Sequence, residues 1–188
     1  YNFGTESYSP SFRPSNGFIT SNNFKKYYGQ ETVSFWPQMG LLNNFSTRAQ
    51  YSYSEKYNGE KKGDSYGGSV DFSLKHLILL NFMYENNSYS YLGYMYNDMW
   101  NMTGFLSSYG IEDIGMFFYA TYRRQVNYSA PWDEPGYAFS PSLKISITKI
   151  EKLGIEFNVS KYIMWDNDKE NKLYDTVIFS NELNYMLT

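Results

Sequence analysis

The sequence predicts an all-β protein, a single antiparallel up-and-down β-barrel of about ten strands, with eight to twelve compatible with the pattern. Two observations predict this fold class. Apolar and polar residues alternate with period two from about residue 43 onward, and aromatic residues make up 21% of the chain. Alternation assigns side chains to the two faces of a strand, and aromatic rings favour pleated surfaces.

The N-terminal part shows the weakest strand pattern. Residues 1–17 are rich in Ser, Pro, Gly and Asn, and we expect them to form a loop, plug or tail in front of a barrel domain over 18–188. Within that domain, the first extended segments are predicted at 18–28 and 32–36.

The alternation is clearest in 143–148 and 155–160, where Leu143, Ile145 and Ile147 interleave with Lys144 and Ser146. A short connection ending in glycine separates the two segments, which predicts a hairpin. Segments 45–57, 69–75, 114–122 and 176–187 are also predicted strands. Residues 80–108 are expected to hold at least two strands, with a loop around 94–101.

Connections between the predicted strands alternate in length. Short links fall at 37–40, 76–77, 110–113 and 151–154, and longer polar ones at 57–68, 127–142 and 166–174. Because consecutive antiparallel strands reverse direction, the short links gather at one end of the sheet and the long ones at the other. Short turns on one side and long loops on the other are typical of outer-membrane barrels.

On this alternation and loop asymmetry, residues 18–188 resemble bacterial outer-membrane β-barrel proteins as a broad class. The resemblance implies a barrel in the bacterial outer membrane, in contact with its lipid. It would act as a narrow pore for small solutes, or as a structural component beside other envelope proteins. The alternative is a soluble or surface-displayed β-sandwich, secreted or at the cell surface, that binds glycan or protein through tyrosine-rich surfaces.

The polar side of the predicted strands carries charges of both signs in equal number, as a narrow lumen with paired side chains would require. The lumen-facing candidates are Arg48, Asp71, Lys75, Glu85, Arg123, Lys144, Glu156 and Glu182. We expect Arg123 to pair with Glu156 or Glu182, the alternative being that it selects an anionic solute. The same pattern predicts that Ile145, Ile147, Phe157, Val159, Val177 and Phe179 face lipid.

Aromatic residues also gather where the predicted strands meet the long loops, as an interfacial girdle would place them. The girdle candidates are Tyr53, Tyr57, Tyr128, Trp132, Trp165 and Tyr174. The tyrosines of 88–96 are interpreted as part of such packing, with a stacking platform for sugar as the alternative.

Composition excludes several functions. The formal net charge is −3 with no long basic cluster, so nucleic acid is not an expected partner. The chain has no cysteine, and therefore no disulfide and no Cys-based zinc site. The lone His76 lies beside a predicted turn without a Ser and Asp constellation, so no catalytic residue, cofactor or metal is expected. The acidic stretch 166–170 lacks the pattern of an EF-hand and is interpreted as a solvated loop rather than a calcium site.

Overall fold

The computed structural model describes residues 2–8, 23–37, 40–75, 78–111, 114–150 and 153–185. Ten strands follow one another in these ranges, and each pairs antiparallel with the next. They are β1 (Asn2–Tyr8), β2 (Phe24–Phe35), β3 (Leu42–Glu55), β4 (Lys61–Leu74), β5 (Ile78–Tyr91), β6 (Tyr94–Ile111), β7 (Ile114–Gln125), β8 (Gly136–Ile150), β9 (Leu153–Trp165) and β10 (Lys172–Tyr185).

This topology confirms the predicted all-β, up-and-down fold with ten strands. In the described residues β1 pairs only with β2 and β10 only with β9, so the sheet is open and both strands are edges. No helix in these ranges is long and apolar enough to cross a membrane.

The register carries one apolar row across the sheet from β2 to β10. Each residue of this row lies directly opposite the next one: Phe35, Phe45, Phe72, Leu80, Leu106, Phe118, Leu143, Val159 and Phe179. Side chains that alternate along a strand point to opposite faces, so the register divides the sheet into an apolar face, which holds this row, and a polar face.

Burial on the two faces is opposite to that of a water-soluble sheet. On the polar face Ser107 and Thr121 are only 1% and 4% exposed, whereas on the apolar face Phe82 and Phe179 are 57% and 72% exposed. A single sheet has no second layer to cover small side chains. They are buried because the sheet curls around them, so the polar face is concave and the apolar face is convex.

Residues 2–8 differ from the prediction of a loop, plug or tail over 1–17. They form β1, which pairs with β2 from Asn2 opposite Gln30 to Tyr8 opposite Phe24. Asn, Gly and Ser read as turn residues in sequence, but an edge strand has only one neighbour and tolerates them. Residues 9–17 lie outside the described residues.

The expected loop around 94–101 is instead part of β6. A two-residue turn at Leu92 and Gly93, with φ of 49° and 86°, joins β5 to β6. Such a turn normally contains Asn-Gly or Asp-Gly, and leucine at the first position hid it from the sequence pattern. Further on, Asp98 has a φ of 55°, and the pairing with β5 shifts register between Asn87 and Tyr89. This irregularity breaks the alternation that would have revealed the strand.

The three longer connections are shorter than predicted, at 56–60, 126–135 and 166–171, because β4, β8 and β10 begin early. In β8 the pairing with β9 is interrupted at Ser140 and Pro141, consistent with the missing N–H of proline. The strand ends joined by residues 56–60, 92–93, 126–135 and 166–171 are called the loop end below, and the opposite one the turn end.

Glycines in β4 permit a close approach between strands. A Cβ added at Gly67 would meet the backbone oxygen of Tyr84 and lie 2.9 Å from the Cα of Glu85. A Cβ at Gly68 would meet the backbone oxygen of Arg48 on the other neighbouring strand. Glycine inside a strand is typical of a sharp bend or close backbone contact, and here it permits the curl of the sheet.

We therefore predict that Gly67→Ala lowers the free energy of unfolding by about 1–3 kcal/mol, because β4 and β5 must move apart. Gly104→Ala is the matched control, since its Cβ would only contact the ring of Phe82 at 3.8 Å, and it should change stability by about 0.5 kcal/mol or less. Urea unfolding followed by tryptophan fluorescence measures both. Equal effects of the two substitutions would contradict this role of Gly67.

Candidate functional site

The candidate site is a cavity of about 670 Å³ on the concave polar face, near the loop end. Its lining comes from β2 through β7 and from the residues that follow β7. Lys26 of β2 and Arg123 of β7 border the same space although their strands are not paired. The curl of the sheet brings them together.

Seven of the eight predicted lumen-facing residues lie on the polar face by register. They are Arg48, Asp71, Glu85, Arg123, Lys144, Glu156 and Glu182. The eighth, Lys75, lies in the turn after β4 and is exposed. Alternation was sufficient to assign faces here, because these positions lie in strand segments without bulges.

The pairing among these charges differs from the prediction. Lys144 Nζ is 2.8 Å from a carboxylate oxygen of Glu156, whereas Arg123 Nε donates to Gln125 Oε1 at 2.8 Å. Glu182 lies directly opposite Glu156, two strands away from Lys144. The expected Arg123 pair with Glu156 or Glu182 is wrong because these carboxylates are nearer the turn end and Arg123 nearer the loop end.

Asp71 is held by neutral donors. Asn81 Nδ2 donates to its Oδ1 at 2.6 Å, and the hydroxyls of Ser46 and Ser69 donate to its Oδ2 at 3.3 and 3.4 Å. This carboxylate belongs to the middle of the concave face, away from the cavity.

Between Asp71 and Arg123, the concave wall of β6 and β7 carries small polar side chains. Thr103 lies opposite Thr121, and Asn101 opposite Arg123. Asn101 Oδ1, Thr103 Oγ1, Ser107 Oγ and Thr121 Oγ1 are buried without a hydrogen-bond partner among the described protein atoms. Buried polar atoms normally have partners, so this wall is suited to contact with water or a polar solute.

The predicted girdle residues separate into three groups. Tyr53 and Trp165 lie on the convex face, where Tyr53 stacks on Tyr27 at 6.5 Å between ring centroids. Tyr57 and Trp132 lie in connections between strands, and Tyr57 has Lys25 Nζ 5.1 Å from its ring centroid.

The remaining two candidates lie towards the concave polar face: Tyr128 in the connection 126–135 and Tyr174 in β10. Tyr128 packs edge-on against Tyr91 at 5.4 Å and lines the cavity, and Tyr174 packs against Tyr162 of the polar face at 6.4 Å. The position of an aromatic residue near a loop does not indicate which face of the sheet its ring occupies.

Sequence reasoning missed the densest ring cluster of the convex face. Trp100 lies 5.0 Å from Tyr122 and 6.0 Å from Tyr137, and Tyr122 also contacts Phe139. Lys169 of the connection 166–171 places its Nζ 4.3 Å from the centroid of Tyr137. The parity of Tyr137 with Leu143 and Ile145 was the signal that could have found this cluster.

A small apolar cluster closes one side of the cavity at the loop end. Tyr96, Met99 and Val126 are buried together, and Tyr89 and Tyr91 pack against them. The Tyr96 hydroxyl donates to the backbone oxygen of Pro131, which ties the connection 126–135 to β6. Tyr89, Tyr91 and Tyr96 therefore pack together beside this connection, as the packing interpretation expected, whereas Tyr94 is exposed.

The acidic stretch at 166–170 stabilises its own turn. Asp166 accepts hydrogen bonds from the backbone N–H groups of Glu170 and Asn171 and from the Asn171 side chain. The Asn171 amide, followed by these backbone donors, holds the pKa of Asp166 below its usual range. In the described ranges no three His, Cys, Asp or Glu residues cluster as a metal would require. His76 lies outside the described residues.

No protein-family model, curated protein or solved structure matches this chain. The geometry of the site is therefore the basis for any functional conclusion. It offers cations, amides and hydroxyls around a concave space, an arrangement suited to binding or passing a polar solute.

Proposed function

We propose that this chain is an integral outer-membrane β-barrel of a bacterium that provides a narrow path for small solutes. The observation that carries the proposal is the inverted burial of the two faces. Hydroxyl side chains such as Ser107 and Thr121 are enclosed, and large apolar side chains such as Phe82 and Phe179 are exposed. A lipid bilayer stabilises this arrangement, because lipid covers the exposed apolar side chains while the polar ones stay enclosed.

The apolar row from Phe35 to Phe179 contains nine residues, one from each strand from β2 to β10. Fully removing a large apolar side chain from water stabilises a protein by about 1.5–3 kcal/mol. Covering the partly exposed row is therefore worth on the order of 10 kcal/mol, comparable with the whole stability of a typical domain. The described residues contain no second layer over this row, and we infer that lipid covers it.

Strand length agrees with a membrane span. Strands β3, β4, β5 and β10 each have 14 residues. At about 3.3 Å per residue, such a strand is about 45 Å long. A tilted transmembrane strand needs about 9–11 residues, which leaves part of each strand to extend beyond the bilayer.

Rings and charges on the convex face are arranged as an interface would require. The cluster of Trp100, Tyr122 and Tyr137 lies on the loop side of the apolar row. Lys161 lies opposite Val177, and its Nζ is 3.4 Å from Asp175, which is two residues nearer the loop end. A lysine whose ammonium reaches towards the membrane boundary is favoured over one in the middle of the bilayer.

The concave face favours a path over a filled interior. Many of its residues are small, including Ser46, Ser52, Ser65, Ser69, Gly67, Thr103, Thr121, Ser140, Ser142 and Ser160. Barrels of about eight strands are filled by large interior side chains or hold one small ligand. Ten strands lined by serine, threonine and glycine leave more room, which supports passage of small solutes.

Closure of the barrel is part of the proposal. Because the strands alternate in direction and their number is even, β1 and β10 run antiparallel and can form the missing ladder. Both have unpaired edges in the described residues, and a closed barrel removes such edges.

The first test is extraction and gel mobility. We expect the protein, expressed with an export signal, to remain in the membrane fraction after salt and alkaline washes and to dissolve only with detergent. The unboiled sample should migrate differently from the boiled one, because a closed barrel resists unfolding by cold detergent. Recovery as a compact monomer in detergent-free buffer would contradict the membrane proposal and favour a soluble, surface-displayed protein.

The second test is closure by an engineered disulfide, which the cysteine-free chain makes simple. Cysteine at Thr5, on the apolar face of β1, is combined with cysteine at positions of the same face of β10. The partner positions are Val177, Phe179, Asn181 and Leu183. We expect one register to form an intramolecular bond efficiently, because only one pair can lie directly opposite.

The matched control combines the same Thr5 cysteine with Ile178 or Ser180, which lie on the polar face. These pairs should not crosslink within a monomer. If every pair stays reduced, or if only crosslinks between two copies form, β1 and β10 are not neighbours and the barrel is not closed.

A further inference from the structure

We propose that the cavity between β2 and β7 is a binding site for a small anionic carbohydrate, such as a sugar acid. This inference rests on the proposed function, since it names the class of solute that the path would take up. The volume of the cavity, about 670 Å³, falls within the range of about 300–1,000 Å³ that is usual for small-molecule sites.

Charge is the first argument for an anion. Three cationic residues of the polar side line the cavity, namely Lys26, Lys62 and Arg123. The lining also includes Arg124 and Asp64, whose register places their side chains on the apolar face. Asp64 is already bound by Lys61 Nζ at 2.8 Å and accepts a hydrogen bond from Ser88. The cavity is therefore positive although the chain carries a formal charge of −3. A concave, low-dielectric wall concentrates such a potential and attracts anions.

Two of these cations form no ion pair within 4.0 Å in the described ranges, namely Lys26 and Arg123. Glu6 of β1 lies directly opposite Lys26 but beyond this distance. Arg123 donates from its Nε to Gln125, and its guanidinium also makes a hydrogen bond with the Tyr162 side chain. A guanidinium has five N–H donors, and those not used here can bind a carboxylate. Lys26 and Arg123 belong to different walls, so a ligand between them would be held from two sides.

Neutral polar groups provide the second argument and point to hydroxyls. Ser52, Ser65, Asn87 and Gln125 line the cavity beside the two cations. Among the lining residues, Asn101 of the polar face has a buried acceptor, its Oδ1, without a partner in the described protein. A hydroxyl group can donate to this oxygen, whereas a fully ionised inorganic anion has no donor to offer it.

Rings supply the third element of the site. Tyr89 and Tyr128 border the cavity, and Tyr89 packs against the apolar cluster of Tyr96 and Met99 at its side. A sugar ring has apolar C–H groups that can lie against a tyrosine face, and tyrosine gives this contact area at low entropic cost. Cations, hydroxyl-binding groups and rings together fit an anionic sugar better than a neutral sugar or an inorganic anion.

The test compares three probes that differ in charge but share a sugar ring: glucuronate, glucose and glucosamine. Binding to the whole detergent-solubilised protein is measured by titration calorimetry, which does not depend on conduction. We expect glucuronate to bind at least about tenfold more tightly than glucose, and glucosamine not to bind. Added sodium chloride should weaken glucuronate binding, because the interaction is electrostatic.

Two variants and a matched control locate the site. Arg123→Gln and Lys26→Gln should each lower glucuronate affinity by about tenfold or more, since each removes a charged hydrogen bond. Lys25→Gln removes the same charge from the adjacent residue on the convex face, where Lys25 lies opposite Glu55, and should leave affinity unchanged. Wild-type gel mobility shows that each variant is folded; the salt dependence of the wild type is an independent check.

The outcomes separate this inference from the proposed function. Equal affinity for glucuronate and glucose, or wild-type affinity in folded Arg123→Gln and Lys26→Gln proteins, would overturn the anionic-sugar site. Glucuronate binding that weakens in both variants supports the site even if bilayer recordings show no current, and that lack of current would contradict the path alone. A current with no glucuronate binding in calorimetry would support the path and reject the site.

Discussion

The fold depends on one constraint, the strict alternation of side chains in a single curled sheet. Every strand from β2 to β10 contributes one apolar residue to the row that runs from Phe35 to Phe179. Because successive side chains point to opposite faces, a shift of one residue in the pairing of any strand would put its polar side chains into that row. The register is thus fixed by the chemistry of both faces, and the row needs a cover that the described residues do not contain.

The curl of the sheet brings polar side chains of separate strands together at the candidate site. Glycines such as Gly67 and Gly68 allow close backbone contact in β4, and the bulge near Asp98 adds irregularity in β6. As the sheet bends, the serines and threonines of the polar face come together from strands far apart in sequence. The same bend places Lys26 and Arg123 around one cavity, so the shape of the sheet and the charge of the cavity have a common origin.

Sequence reasoning was most successful where strands are regular. Period two alone places Lys144 and Glu156 on the polar face and Ile145 on the apolar face, and the structure has the same arrangement. It failed where turn chemistry departs from the usual residues, as at Leu92, and where Asn and Gly occur inside a strand, as in β1. The local sequence pattern does not show whether a segment will be an edge strand, where Asn and Gly are tolerated.

The site itself could be predicted only in part. Arg123 was a candidate from its parity, but its neighbours were not, because Lys26 reaches the same cavity only through the curl of five intervening ladders. The ring cluster of Trp100, Tyr122 and Tyr137 was missed for a similar reason, since the three residues come from neighbouring strands whose register was unknown. Cross-strand register is a tertiary property, and no single strand encodes it.

Contact between the apolar face and lipid can be measured by a nitroxide scan along β8 in lipid bilayers, one cysteine at a time from Leu143 to Ile147. Accessibility to oxygen, which partitions into lipid, is compared with accessibility to a water-soluble nickel complex. If the apolar face contacts lipid, labels at 143, 145 and 147 contact oxygen and labels at 144 and 146 contact nickel, with a period of two residues. Nickel accessibility at all five positions, or the opposite parity, would contradict the claim that the apolar face contacts lipid.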